Sequence, residues 1–481
     1  MKKIASMTLT LAVIGVAYTA SAWYLGKNVE AKVNQQYDNL MASQPYLKIV
    51  DRDYRRGIFQ SEETVTLALA DKIAAAGGPD AQPLELKFHS RIQHGPFPGF
   101  STLGAATSET ELVLSDETQA KMRKLLGDAS PFLQSSHIQF DGSGSAHFSS
   151  PRFEVEFPDK QGELRRITWE GFDGRMDFTP DARAFTLHLL APKLEISDSN
   201  GVAMTLSDIA FEGDQQQMFE DLPFLYSGTS HFAIGKLSID DGKGKTGPVV
   251  VQRLVYDVDI PRQGDYLDVI TRTGADNLSI GQESIGPAHM DISFRHLHAR
   301  AIAALNQKMM SLYSDPALQG GSPEALVGKM MAQLQEDAQT ILAHDPQINI
   351  DRLSLSNPDG EAKLAAQVKL VGLTLEEITN PFMLMTKIEA NGDLSLPEDM
   401  IVQLLRKPPF SSQGIAELSP EEIEARGKAA ADQFQMQVAM LTDQGYLNRE
   451  GDLVKTNLSF KAGQLKINGK PFVPMAQTPQ Q

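Results

Sequence analysis

The chain has 481 residues, no cysteine, and 44 basic against 61 acidic residues, for a formal net charge of −17. The missing cysteine excludes thiol nucleophiles, disulfides and thiolate metal sites, and the acidic balance argues against nucleic acid as a partner, because phosphates need a basic surface. A hydrophobic content of 41% with 7% aromatic residues is that of a folded protein with room for two or three cores or one elongated sheet system.

Residues Ile4–Leu25 form an uncharged run of 22, preceded by Lys2 and Lys3 and followed by Lys27, Glu30 and Lys32. At about 1.5 Å per helical residue the run reaches about 33 Å, enough for a hydrocarbon core of roughly 30 Å. Ala20-Ser21-Ala22 has the small-x-small form of a signal-peptidase site, so cleavage before Trp23 is one reading. The other is an uncleaved anchor. It rests on the length of the run, on Trp23 and Tyr24 at an interface, and on the helical spacing of Val29, Val33, Tyr37 and Leu40 just beyond. The anchor is the expectation adopted. Positive charge keeps the first residues inside, and the rest, net −20 because residues 1–27 hold three of the basic and none of the acidic groups, is exported. The expected organisation is an anchor over 1–28, a β-rich region over 29–296 and a mixed helix–strand region over 297–481.

After a helix ending near Ser43, the segment Tyr54-Arg55-Arg56-Gly57-Ile58-Phe59-Gln60-Ser61 leads into an alternating strand with Val65, Leu67 and Leu69 on one face. Leu84–Ile92 predicts another strand, closed by His94-Gly95-Pro96-Phe97-Pro98, whose prolines fix an extended turn. A short helix is predicted over Asp116–Leu126. From Ile138 to Phe294 strand follows strand. Phe153, Val155 and Phe157 alternate with Glu154 and Glu156, and Leu254, Tyr256, Val258 and Ile260 alternate with polar neighbours. Asp-Gly, Asn-Gly and Gly-Asp turns separate them. A recurrent phrase (Leu194-Glu195-Ile196, Leu237-Ser238-Ile239, Leu278-Ser279-Ile280, Leu353-Ser354-Leu355, Leu394-Ser395-Leu396) has irregular intervals. It is either chance or the mark of similar strands laid side by side in a meander.

The last third mixes in helices: His298–Tyr313; one opening at Ser322-Pro323-Glu324 with Leu326, Met330, Leu334 and Ile341 inward; and one behind the capping box Ser419-Pro420-Glu421-Glu422, ending at Gly445. Strands at Ile348–Leu355 and Ala362–Leu370 join through Asn357-Pro358-Asp359-Gly360, and Leu453–Phe460 and Gln464–Ile467 close the fold at Asn468-Gly469. Val473–Gln481 is expected to be a loose tail. The expected class is α+β: an N-terminal transmembrane anchor helix, then an elongated, mostly antiparallel sheet with helices concentrated in the C-terminal half.

Ala22-Trp23-Tyr24 with Gly26-Lys27, then Tyr54 to Ser61 (with Arg56, Gly57 and Phe59), then His94-Gly95-Pro96-Phe97-Pro98, and finally Gly463 to Lys470 with Asn468-Gly469, occur in this order in the YdgA-like proteins. The chain resembles that family from end to end. The resemblance implies a Gram-negative inner-membrane protein with a large periplasmic part and a tendency to homodimers. It implies no catalytic residue and no cofactor, because the family is classed as a domain of unknown function.

Few residues suggest chemistry. Asp241-Gly242-Lys243-Gly244-Lys245-Thr246 ends like a phosphate loop, but Ile239 stands where its first glycine is needed. His296 and His298, on one face of a strand, are the weak metal candidates, with no third ligand to add. His94 is either a base in a tight loop or a structural ring holding the Pro-Phe-Pro turn. Met309, Met310, Met330, Met331, Met383, Met385, Met436 and Met440 either fill cores or line an adaptable groove. Three functions remain. The first is a non-catalytic envelope protein acting through protein contacts as a homodimer. The second binds or transfers lipid along an apolar sheet groove, and the third is an envelope hydrolase. An open apolar groove would favour the second.

Overall fold

The computed structural model describes residues 2–43, 47–69, 85–114, 130–158, 164–242, 247–281, 283–314, 335–378, 380–406 and 420–472, with backbone alone for 2–14, 42–43, 69, 310–314, 420 and 423. The expected helix Asp116–Leu126, the opening of the helix at Ser322, the Lys243–Thr246 loop, the side chain of Met310, and Met330, Met331, Ser419 and the tail from Val473 lie outside the described residues.

Helix α1 runs unbroken over Lys2–Ser43. Twenty-five strands follow among the described residues. The first nine are β1 (Leu47–Arg56), β2 (Gln60–Leu69), β3 (Glu85–His94), β4 (Ala106–Val113), β5 (Leu133–Ile138), β6 (Gly144–Ser150), β7 (Phe153–Pro158), β8 (Leu164–Trp169) and β9 (Phe172–Phe178). The longest come next: β10 (Ala184–Asp198), β11 (Val202–Phe219), β12 (Leu222–Asp241) and β13 (Val249–Ile260). Then follow β14 (Arg262–Gln263), β15 (Tyr266–Ala275), β16 (Asn277–Ile280), β17 (Glu283–Ile285) and β18 (Ala288–His298). The last are β19 (Gln347–Asn357), β20 (Gly360–Leu370), β21 (Ile388–Pro397), β22 (Asn448–Glu450), β23 (Leu453–Lys461), β24 (Gln464–Ile467) and β25 (Lys470–Pro471). Helices α2 (Ala299–Ser314), α3 (Leu375–Ile378), α4 (Pro381–Lys387), α5 (Glu398–Arg406) and α6 (Pro420–Asp443) sit between late strands.

All strand pairings among the described residues are antiparallel. Strands β1 to β6 pair in order, β6 pairs β9, β9 and β8 both pair β10, and β10 to β13 continue the series. From β13 the sheet passes through β15, β18, β19, β20, β21 and β23 to β24 and β25. The expected antiparallel α+β architecture is therefore present, and the sheet crosses position 296–297 without a break.

Register makes the sheet two-faced. Leu189, Phe211, Phe232, Tyr256, Thr273, Met290, Leu353, Leu364 and Leu394 lie directly opposite one another across nine strands. One position along, the row reads His188, Glu212, His231, Asp257, Arg272, Asp291 and Arg352. Because successive side chains alternate faces, one face is apolar and the other charged. The recurrent Leu-x-Ile phrase falls into register too: Leu194, Leu206, Leu237, Val251 and Leu278 share one row, and Leu353 faces Leu364, itself opposite Leu394.

Helix α1 covers this apolar face at the N-terminal end. Val29 and Val33 pack on Ile92, Ala106, Tyr54 and Ile138. A second small core joins Met218, Phe219, Leu267 and Ala299 where α2 leaves the sheet. Between them most of the apolar rows are half-buried, with Ala146 and Ile234 the buried exceptions.

Candidate functional site

The residues that carry the motifs converge on the seat of α1. His94, at the end of β3, and Ser61, on β2, are both fully buried. The carbonyl of Ala22 lies 3.0 Å from His94 Nδ1; a carbonyl only accepts, so Nδ1 carries the proton and Nε2 accepts from Ser61 Oγ at 3.2 Å. Burial, opposed by the Ala22 bond and aided by the charge of Arg56, lowers the His94 pKa below its ordinary value. Gly26 lies flat on the imidazole: a Cβ there would sit 2.4 Å from Cε1. Gly95, at φ +128°, brings its backbone against Ala22. Only glycine fits these two positions.

Around this lock the other motif residues fall into place. The Phe59 carbonyl accepts from His94 N at 2.9 Å, and its ring stacks on Tyr18 at 5.7 Å. Gly57 N donates to Gln60 O at 2.8 Å and closes the β1–β2 turn. Arg56 lies over Trp23 and pairs with Glu30 at 3.2 Å. Tyr18 Oη donates to the Phe97 carbonyl at 2.9 Å. Pro96 accepts from Gly104 N, and Pro98 is buried. One element further along α1, Arg52 Nε donates to the buried Glu63 at 2.6 Å, with its guanidinium 4.4 Å over the Tyr37 ring. Burial, then the Glu63 charge, pushes the Tyr37 pKa up to about 12.

Ser61 and His94 are spaced like a nucleophile and its base. Yet Nδ1 is oriented by a backbone carbonyl, and α1 seals the pair, so no substrate atom has a path to Oγ. The ring is a fastener for the helix. Asn468 and Gly469 lie at the other end of the strand order, in the β24–β25 turn, where Asn468 Oδ1 accepts from Asn457 N at 2.9 Å.

His296 and His298 meet at a third place. A bulge with His296 at φ +58° breaks the alternation, and both rings lie on Tyr266, His296 stacked at 4.1 Å and His298 edge-on at 5.9 Å. His344, which the sequence did not single out, stacks on His298 at 4.8 Å. His296 Nδ1 donates to the His344 carbonyl at 2.6 Å, whereas His298 Nδ1 accepts from Ala301 N at 3.3 Å. Neutral His298 thus carries its proton on Nε2, which leaves it no lone pair for a metal. Among the described residues no three His, Asp or Glu side chains are placed to hold a metal ion.

Among the described residues, the apolar face carries no covering element over its middle. In its middle Met290 is 47%, Ile348 46% and Tyr256 43% exposed, with Phe294 and Leu353 beside them. Among the described residues, α1 packs on β1, β3 and β4, α2 on β18 and α5 on β21, at the margins of this band. Among the described residues no helix is long and apolar enough to cross a membrane; the side chains of Ile4–Ile14 are outside that description.

Over residues 1–475 the chain matches the model of a family described as "Bacterial protein of unknown function (DUF945)". It is similar to Protein YdgA of Escherichia coli (strain K12), with 20% identity over 485 residues, which cover 95% of this chain and 92% of that one. No solved structure matches.

Proposed function

We propose that this chain, which belongs to the DUF945 family of bacterial proteins of unknown function, is an inner-membrane-anchored periplasmic protein that shields lipid acyl chains on its apolar sheet face. The observation that carries the reading is the row from Leu189 to Leu394, apolar on eight of its nine strands, with Thr273 on the ninth. At about 4.8 Å per strand, nine strands make a band about 40 Å long. Its backbone groups are satisfied by the ladder, so an occupant needs no hydrogen bonds, only methylenes, each worth about 0.8 kcal/mol when buried. Monomeric proteins rarely leave uncovered so long an apolar strip as this one is among the described residues. The charged opposite face is suited to water.

Anchoring is supported by the uncharged run Ile4–Leu25, and retention of the leader by the lock. Cleavage after Ala22 would remove Tyr18 and detach the Ala22 carbonyl from α1, leaving the buried His94 Nδ1–H without its helical acceptor. The sealed Ser61–His94 pair favours a non-catalytic role. A second reading, a homodimer in which two copies cover each other's apolar faces, draws on the same strip, since sheets pack face to face about 10 Å apart.

Photocrosslinking residues placed in cells at Met290, Ile348 or Leu353 are expected to capture lipid, and those at His231 or Asp257 are not. Capture of a second copy of the chain from the apolar positions would favour the dimer. Equal labelling of both faces would refute both readings.

A further inference from the structure

We infer that the loops gripping α1 are themselves immersed in the outer leaflet of the bilayer, as an apolar collar around the anchor. The β1–β2 turn offers Ile58 and Phe59, and the loop between β3 and β4 offers Phe97, Phe100 and Leu103. All are exposed, Phe100 at 84% and Leu103 at 59%. Residues 57–61 and 95–106 contain no charged side chain. Tyr18 is held between the Phe59 and Phe100 rings, at 5.7 and 5.5 Å, and an open groove between α1 and Ile58 is lined by Gly15, Val16, Thr19, Ala20 and Trp23.

The level of the collar along the helix decides its surroundings. Helical side chains lean toward the N-terminus, so contacts made by Tyr18 lie at or below its own Cα. Tyr18 is seven residues before Leu25, about 10 Å along the axis. If the collar rested on top of the membrane, only Ile4–Ala17 would remain to cross it, about 21 Å against a hydrocarbon core of roughly 30 Å. Sinking the collar by about 10 Å restores a full span. Lys27, Arg56 and Glu30 then stand just outside, at headgroup level, with Arg56 over the exposed Trp23 ring.

The loop is built to hold its apolar side chains outward. Phe100 sits at φ +57°, a conformation that a bulky residue adopts only when its surroundings impose it. Here buried Pro98 anchors the turn, Ser101 Oγ donates to the Pro98 carbonyl at 3.1 Å, and His137 Nε2 donates to the Leu103 carbonyl at 3.0 Å. In water Phe100 gains only its stacking on Tyr18 and leaves the rest of its ring exposed. In lipid each aromatic ring gains burial.

The inference rests on the anchor reading, and the test separates the two. The chain lacks cysteine, so single cysteines at Phe100, Leu103, Val16 and Leu190 can each carry an environment-sensitive fluorophore in the full chain reconstituted into phospholipid vesicles. Nitroxide-bearing lipids should quench the Phe100→Cys and Leu103→Cys labels as strongly as the Val16→Cys label, and aqueous iodide should quench only Leu190→Cys. Quenching by lipid at Val16→Cys with iodide access at Phe100→Cys and Leu103→Cys would overturn the collar and leave the anchor standing. Iodide access at all four positions would overturn both.

Discussion

Gly26→Ala is the sharpest probe of the lock, because two opposing effects of known size meet at one atom. In an isolated helix alanine is favoured over glycine by about 1 kcal/mol. Here the added Cβ would meet three atoms of the His94 ring at 2.4, 2.6 and 2.8 Å, where carbon atoms ordinarily stand about 3.5–4.0 Å apart. Helix and ring must separate by about 1 Å, and overpacking of this kind costs about 1–3 kcal/mol. The net effect is a loss of up to about 2 kcal/mol, or up to roughly 30-fold in the docking equilibrium. In a His94→Ala background the obstacle is gone, and the same substitution should stabilise by about 1 kcal/mol. Hydrogen exchange of α1 residues 22–40, measured by mass spectrometry on the full chain in nanodiscs, reads both. Faster exchange in the first background and slower in the second is the expected reversal. An equal gain in protection in both backgrounds would show that α1 does not rest on the imidazole.

His94 itself should make docking acid-sensitive. Its pKa is lowered in the folded state, so the unfolded or undocked chain binds the extra proton, and stability is lost as pH falls below about 6.5. His94→Asn should dock less firmly at pH 7 but flatten that pH dependence, and an unchanged profile would count against the buried neutral ring. Tyr37 titrates in the opposite direction: its pKa, raised from 10.0 to about 12, gives stability that is full below pH 10 and lost as pH rises toward 12. Tyr37→Phe should remove that alkaline loss and one late tyrosinate step in the ultraviolet titration. Glu361 is held down to about 2 by hydrogen bonds from Lys363 and Arg352. Its contribution is complete above pH 4.5 and fades as pH falls toward 2, so Glu361→Gln should be less stable at pH 7 and lose less on acidification, as followed by thermal unfolding.

Much of the architecture is readable residue by residue. Period-two alternation such as Leu254, Tyr256, Val258 and Ile260 is a local property, and so is the turn chemistry of Asn357-Pro358-Asp359-Gly360, which does join β19 to β20. The recurrent Leu-x-Ile/Leu phrase fits chance as well as strands laid side by side, and cross-strand register decides for the second. Less was legible at the histidines. Alternation placed His296 and His298 on one strand face, but the bulge at His296 and the arrival of His344 from 46 positions beyond His298 turn the pair into an aromatic cluster on Tyr266.

The sequence by itself determined the uncharged N-terminal run, the strand content, the acidic balance and the family, because each depends on residue type and short-range order. Tertiary structure decided two further things. One is that Ala22, Gly26, Ser61 and His94, drawn from three elements, form a single fastener, since hydrogen bonds and close approach depend on positions that no local pattern encodes. The other is that the apolar positions of eight strands, with Thr273 on a ninth among them, fall into one line and stay half open. Each strand shows only that it has an apolar side; registry across the sheet, set by turns and bulges, makes those sides one surface.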